Sequence, residues 1–366
     1  MSTRSTPRRL FVGLSGGVDS AVAAGLLKAE GHDVQAVFMK NWEEDDTPGH
    51  CAAATDLADA RAVADALGIP LHAVNFATEY WDRVFAHFLA EYRAGRTPNP
   101  DVLCNREIKF RAFLDHALAR GADAVATGHY ARVVARADGV HLARSADEAK
   151  DQTYFLYQLD QSQLRHAIFP LADLTKPEVR ALARRWGLPN HARRDSTGIC
   201  FIGERRFRDF LARYLPAQPG DVELPDGRRV GRHGGLLYYT PGQRHGLALG
   251  GVRGAGEAPW FVVGKDLARN VLVVAQDHDH PRLMARSLVA RPLHWVLGAA
   301  PATTFRCLAR CRHRQPLQDC TVEVGTDGSA RVVFAERQRA LAPGQSVVWY
   351  QGADCLGGGV IDAVGE

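Results

Sequence analysis

Ser15-Gly16-Gly17-Val18-Asp19-Ser20 separates an apolar run, RLFVGL, from an alanine-rich helical run, AVAAGLLKAEG. A strand that turns through glycines straight into a helix is the opening of a β-α-β unit, and such units build parallel sheets. The downstream pattern agrees. HDVQAVFMKNW reads as a second strand, Cys51–Leu67 as a helix ended by Gly68-Ile69-Pro70, and LHAVNF as a third strand. Helical spacing returns over Glu79–Ala94 and Arg106–Arg120, and ADAVATGHYA reads as a further strand. The expected fold is α/β: a doubly wound parallel sheet with helices on both faces, its ligand at the carboxyl ends of the strands.

Beyond this unit the pattern changes. A hairpin is expected around Ala137-Asp138-Gly139, and residues 150–215 read as mostly helical. After Pro216, glycine, proline and short alternating runs dominate, as in GGLLYYTPGQRHG and APWFVVGKD. From Ser287 onward further alternating runs (CTVEV, ARVVFAE, SVVWYQG) predict a β-barrel. The expected domains are therefore 1–215 (catalytic α/β), 216–286 (small, β-rich) and 287–366 (barrel). There are no internal repeats and no apolar run of membrane-spanning length, so a cytoplasmic protein without a membrane partner is expected. Seven irregularly spaced cysteines are not a secreted disulfide framework. A net charge of +4 permits a nucleic-acid partner without requiring one.

The glycine loop points to phosphate chemistry. Backbone amides of Gly13, Leu14, Ser15, Gly16, Gly17 and Val18 can approach an anion closely, and the helix that follows adds its positive end. Ser15 and Ser20 offer hydroxyls, and Asp19 is a candidate ligand for Mg²⁺ on a pyrophosphate. The loop lacks the Gly-Lys-Ser/Thr of a Walker motif and is not a dinucleotide GxGxxG.

The stretch NPDVLCNREIKF places Cys104 after an Asn-Pro-Asp turn, with a helix expected to open at Asn105-Arg106-Glu107. A cysteine there is either a small buried hydrophobe or a thiol whose ionisation is favoured by a helix N-terminus and by Arg106 and Lys109. Cys200, in DSTGICFIG, lies between Gly198 and Gly203 on another non-periodic segment. Two such cysteines suit a relay in which one carries a persulfide and the other resolves it.

The loop SGGVDS resembles the pyrophosphate loop of the N-type ATP pyrophosphatases. Taken with VFMKNW, NPDVLCNREIKF, TGHYAR, KDQTYFLYQL, DSTGICFIG and YTPGQRHGL, it resembles the bacterial tRNA-specific 2-thiouridylase (MnmA) family over nearly the whole chain. The resemblance implies ATP-dependent adenylation and persulfide-based sulfuration at C2 of the wobble uridine, in tRNAs for lysine, glutamate and glutamine. A cysteine desulfurase or sulfur-relay protein would donate the sulfur. It implies ATP on Gly13–Ser20, with Met39 and Gly128 near the adenosine. Asn99, Pro100 and Asp101 would meet the target base, extruded from its stack. His129, Lys150, Asp151, Gln152, Arg312, His313 and Gln345 would contact tRNA. Cys104 corresponds to the nucleophile and Cys200 to the persulfide carrier, with a Cys104–Cys200 disulfide after turnover.

The run TFRCLARCRHR alternates: Phe305, Cys307, Ala309 and Cys311 share one face, and Arg306, Leu308, Arg310 and Arg312 the other. A basic phosphate-binding face over an apolar core face is expected. Cys307, Cys311 and Cys320 read as core residues in preference to zinc ligands, because no close Cys-x₂-Cys pair occurs. Cys51 and Cys355 receive no role. The rival functions are an amidating or ligating ATP pyrophosphatase acting on a small metabolite, and a non-catalytic RNA-binding protein.

Overall fold

The computed structural model describes residues 6–43, 53–194, 207–247, 249, 252 and 256–365. Cys51 and Cys200 lie outside the described residues.

The N-terminal third alternates as its sequence dictates. Strand β1 (Arg9–Gly13) leads through the glycine loop into helix α1 (Val18–Ala29), then β2 (Asp33–Lys40), helix α2 (Ala54–Leu67) and β3 (Leu71–Asn75). Strand β4 (Ala124–Ala126) returns to the other side of β1, and after a hairpin of β5 (Arg132–Arg136) and β6 (Gly139–Ala143), β7 (Ala167–Ile168) completes the sheet. The order is β3-β2-β1-β4-β7, all parallel. The direction of winding reverses between β1 and β4, and that crevice is where an open α/β sheet binds ligands. One apolar cluster joins Val22, Ala36, Val63 and Val179 on the side of α1, α2 and the helix Lys176–Arg185. A larger one on the opposite side includes Phe85, Phe110, Phe113 and Tyr154. Both faces of the sheet are thus covered, which is why its strands read as continuous apolar runs.

A four-stranded sheet follows, built from β8 (Gly220–Glu223), β9 (Arg229–His233), β10 (Trp260–Asp266) and β11 (Val271–Gln276). The last six strands are β12 (Met284–Trp295), β13 (Thr304–Arg310), β14 (Gln318–Val324), β15 (Ala330–Arg339), β16 (Ser346–Gln351) and β17 (Asp354–Gly365). They run β12-β15-β14-β13-β16-β17, and pairing of β12 with β17 closes the barrel. Closure removes the unpaired edges that an open antiparallel sheet would expose.

The hairpin expected around 137–139 is present, and its pairing with β17 joins it to the barrel's sheet (Leu142 opposite Cys355). One expectation needs correction. The helix expected to open at Asn105 starts at Pro100, with Asn99 as its cap, and continues through Leu118. Proline at the first helical position costs no hydrogen bond, and the Asn99 side chain accepts one from the Asp101 amide at 3.2 Å. Among the described residues no helix is long and apolar enough to cross a membrane.

Candidate active site

The glycine loop sits at the carboxyl end of β1, in the switch crevice. Gly16 has φ +78°, and a Cβ there would lie 2.8 Å from the Asp56 carbonyl oxygen, so both conformation and space require glycine. Its carbonyl accepts from Asn190 Nδ2 at 2.8 Å. Arg193, which pairs with Asp56 and Asp59, braces the same carbonyl. Ser20 Oγ donates to the Gly17 carbonyl at 3.1 Å and accepts from the Ser15 amide at 3.2 Å. The turn is thereby fixed with the first amides of α1 at its open end, the arrangement that receives an oxyanion. Gly17, the cap of α1, makes no side-chain cap bond of its own.

Asp19, in the first turn of α1, faces two partners that the local sequence does not show. Lys176 Nζ donates to both carboxylate oxygens, at 2.7 and 2.8 Å, and the Tyr130 hydroxyl donates to one at 2.9 Å. Each partner is itself held. Asp147 accepts from the Lys176 amide at 2.9 Å. Gln152 receives the Tyr130 amide on its side-chain oxygen at 3.0 Å and donates its own amide to the Tyr130 carbonyl at 2.8 Å. The loop therefore has a lysine after all, supplied from a distant helix.

Gly128 follows β4, and a Cβ on it would lie 2.6 Å from the Ser20 amide nitrogen. Its close approach is to the backbone of α1. Met39, near the end of β2, lies over Gly13, where an added Cβ would meet its Cε at 3.0 Å.

Cys104 lies one turn into the 100–118 helix and is 1% exposed, packed in the larger core cluster. Arg106 points elsewhere: it donates to Glu107 at 2.7 Å and to Gln158 at 3.3 Å. The loop before the helix is pinned to the barrel. The Thr97 amide donates to the Pro343 carbonyl at 2.9 Å, and Gln345 Nε2 donates to the Thr97 carbonyl at 2.7 Å. Glu91 holds Arg96 in a two-pronged ion pair, and that hydrogen bonding keeps the Glu91 carboxyl below its ordinary range.

The residues expected at tRNA divide. Arg312 is exposed, and its guanidinium donates to the Ala340 carbonyl at 2.6 Å. Lys150 is half-buried, its amide bonded to Asp147. Asp151 is 1% exposed; its carboxylate accepts from Thr153 Oγ1 at 2.8 Å and pairs with Arg310 at 3.5 Å. Burial raises the Asp151 carboxyl above its usual range even so. His313 donates from Nε2 to the Asp151 carbonyl at 2.8 Å and lies against Phe155. His129 is buried, bonded to Thr127 Oγ1 at 2.7 Å, and burial drives its pKa well below the normal histidine value, so the ring is neutral. The expectation that Arg310 shares an exposed basic face is corrected: it is 6% exposed, stacked over Tyr350 and paired with Asp151. The alternation places Arg310 on the outer face of the barrel, but residues 151–154 cover that face. Cys311 and Cys320 are buried in the barrel's core cluster, at 3% and 5% exposure, and Cys307 packs half-buried against it.

Three family descriptions tile the chain. A tRNA methyl transferase HUP domain matches residues 8–204, a tRNA methyl transferase PRC-barrel domain 208–276, and an aminomethyltransferase beta-barrel domain 285–361. A tRNA-specific 2-thiouridylase MnmA of Methylococcus capsulatus is 60% identical over 355 residues, 96% of this chain and 96% of that one. The chain belongs to the tRNA-specific 2-thiouridylase family. A second 2-thiouridylase, of Marinobacter nauticus, is 58% identical over 357 residues, 97% of this chain and 91% of that one. A third, of Francisella philomiragia, is 56% identical over 96% of this chain and 99% of that one. The α/β sheet, the small β-rich unit and the terminal barrel are thus the 2-thiouridylase architecture in this chain. Within it, sequence reading missed Lys176 and Tyr130 as partners of Asp19. The only signal was weak: Thr175-Lys176-Pro177-Glu178 marks a helix start, with a cap box between Thr175 and Glu178, and says nothing of where that start points.

Proposed function

We propose that this chain is a tRNA-uridine 2-sulfurtransferase that adenylates the wobble uridine at the expense of ATP and replaces its C2 oxygen with sulfur. The observation that carries the ATP half is the glycine loop in the switch crevice, with Lys176 beside it. In this reading the loop amides and the N-terminus of α1 hold the pyrophosphate. Lys176 turns from Asp19 to the phosphates as they arrive, neutralising charge on the leaving group. Mg²⁺ bound to ATP is held mainly by phosphate oxygens and needs only one or two carboxylates. Asp19 fits that requirement once Lys176 has moved, and the ion would supply further charge neutralisation.

The uridine C2 oxygen attacks the α-phosphate and pyrophosphate leaves. The C2–O bond is now to AMP, a far better leaving group than oxide. Asn99, Pro100 and Asp101 orient the base. Cys200 carries the persulfide; its terminal sulfur replaces AMP at C2. The Cys104 thiolate then attacks the inner sulfur, releasing 2-thiouridine and leaving a Cys104–Cys200 disulfide for an external dithiol to reduce. Residues 1–215 perform this chemistry, 216–286 form the connecting unit and 287–366 bind tRNA through Arg312 and its neighbours, with Lys150 adding a phosphate contact. Lysine, glutamate and glutamine tRNAs are the substrates, and a cysteine desulfurase or sulfur-relay protein loads Cys200.

The test incubates the chain with ATP, Mg²⁺, a persulfide donor and unmodified tRNA, followed by nucleoside analysis and chromatography of labelled ATP. The expected products are 2-thiouridine, AMP and pyrophosphate in equal amounts. ADP as the main nucleotide product would overturn the adenylation reading.

A further inference from the structure

A cleft with two thiols in its wall opens at one corner of the barrel, unused by the chemistry above. Strand β13 pairs with β16 only from Leu308 to Arg310 (Leu308 opposite Tyr350, Arg310 opposite Val348). That pairing ends at Leu308, and beside it lies a cavity of about 640 Å³ walled by Arg286, Arg306, Cys307, Asp319, Cys320 and Gln351, among others. Cys307 and Cys320 are directly opposite one another on the antiparallel pair β13 and β14, with their sulfurs 3.6 Å apart. Facing residues on such a pair have Cα atoms about 4.5 or about 5.5 Å apart. A disulfide accepts roughly 4.4–6.8 Å, so this pair can close without moving the strands.

The two thiols are not equivalent. Cys307 is half-buried and opens to the cleft, whereas Cys320 is 5% exposed behind it. The hydrogen bond between the two sulfurs and burial both raise the Cys320 thiol above its ordinary range. Cys311 does not line the cleft; it is 3% exposed, with burial pushing its thiol up to about 12. The charge in the wall is mixed but net positive, from the Arg286 and Arg306 guanidinium groups against the Asp319 carboxylate. Arg286 donates to the Phe334 and Ala335 carbonyls, and among the described residues no carboxylate pairs with Arg306.

We propose that this cleft is a second thiol–disulfide exchange site, which takes a small anionic disulfide and is oxidised by it to a Cys307–Cys320 cross-strand disulfide. The Cys307 thiolate attacks one sulfur of the incoming disulfide; that S–S bond breaks, and one half leaves as a thiolate. The mixed disulfide on Cys307 is then attacked by Cys320 after loss of its proton, and the second half leaves. Two protein thiols lose two electrons and two protons, and one small disulfide is reduced to two thiols. Closure is the slower step, because the attacking thiol is the buried one. The proposal is independent of the ATP-dependent reading, since it uses neither Cys104 nor Cys200.

The test treats the full-length chain with glutathione disulfide, which is anionic, or with cystamine, which is cationic, and maps non-reduced tryptic peptides over time. Trypsin cuts after Arg306, Arg310, Arg312, Arg314 and Arg331, so Cys307, Cys311 and Cys320 fall in separate peptides. The expected result is a linked pair of peptides 307–310 and 315–331, formed several times faster with glutathione disulfide than with cystamine. Cys320→Ser should halt at the mixed disulfide on Cys307, and Arg306→Glu should reverse the preference between the two reagents. A mixed disulfide on Cys307 that never closes in the unsubstituted chain would overturn the proposal. So would oxidation at Cys311 in preference to the pair, or equal rates with the two reagents.

Discussion

Lys176 Nζ spans both oxygens of the Asp19 carboxylate, at 2.7 and 2.8 Å, across 157 residues of sequence. The ion pair is mostly sheltered, with side-chain exposures of 10% for Lys176 and 31% for Asp19. It places a positive charge beside a loop whose turn is held by its own hydrogen bonds. Lys176→Gln should therefore lower pyrophosphate release about 100-fold, the loss typical of removing one preorganised charge-stabilising group. Thermal melting should change little, because the partly exposed Asp19 keeps its bond from Tyr130. Measuring labelled pyrophosphate and the melting curve on the same preparation separates a catalytic effect from unfolding.

Arg310 and Arg312 are two residues apart and should behave oppositely. Arg312→Ala should weaken tRNA binding and flatten its salt dependence by a slope of about 0.9 or less, the signature of one lost phosphate contact. Arg310→Ala should leave Asp151 as a buried charge without its partner and cost about 3–5 kcal/mol of stability. Binding titrated across salt, with denaturant unfolding of both variants, checks the pair.

Cys104 is 1% exposed in the free chain. If it attacks a sulfur during turnover, the substrate must uncover it. Alkylation of Cys104 by iodoacetamide should be slow in the free chain and several times faster with ATP and tRNA present, the reverse of ordinary ligand protection. Mass spectrometry of the peptide containing Cys104 reads the rate. An unchanged rate would leave Cys104 a packing residue.

The Glu91–Arg96 pair fixes the approach to Asn99, and its acid dependence has a definite sign. Arg96 holds the folded-state carboxyl of Glu91 below its unfolded value. The pair's contribution is therefore present above about pH 4.3, the ordinary glutamate value. It is lost as pH falls through the lower folded-state value. Glu91→Gln should melt below the unsubstituted chain at neutral pH, and the gap should shrink as the solution is acidified.

Local signals carried the parts of this molecule that a reader of its sequence can find. The glycine loop is legible because strand, turn and helix are contiguous, so one six-residue stretch sets the geometry. The helix at Cys104 was misplaced by one turn because its polar face drew the eye to Asn105, whereas Asn99 and Pro100 already spelled a cap followed by proline. Lys176 was invisible for a different reason: nothing within a few residues of it says that its helix starts against α1. Arg310 shows the limit of alternation. Period two assigns a face, but whether that face meets water depends on what packs over it, here a segment 150 or more residues earlier in the chain. Cys200 lies outside the described residues.

The hairpin of β5 and β6 is made early and completed late. Its outer neighbour, β17, is the last strand among the described residues. During synthesis the hairpin would leave the ribosome with a strand edge unpaired until more than two hundred further residues had followed, and unpaired edges invite pairing with other chains. The ion pair of Arg136 with Asp354 and the bond from the Arg144 amide to the Ala353 carbonyl (2.8 Å) then fasten early chain to late. A transcript cut short anywhere before β17 yields a product with that edge still open, so loss of the final strand should be felt at the α/β unit as well as at the barrel.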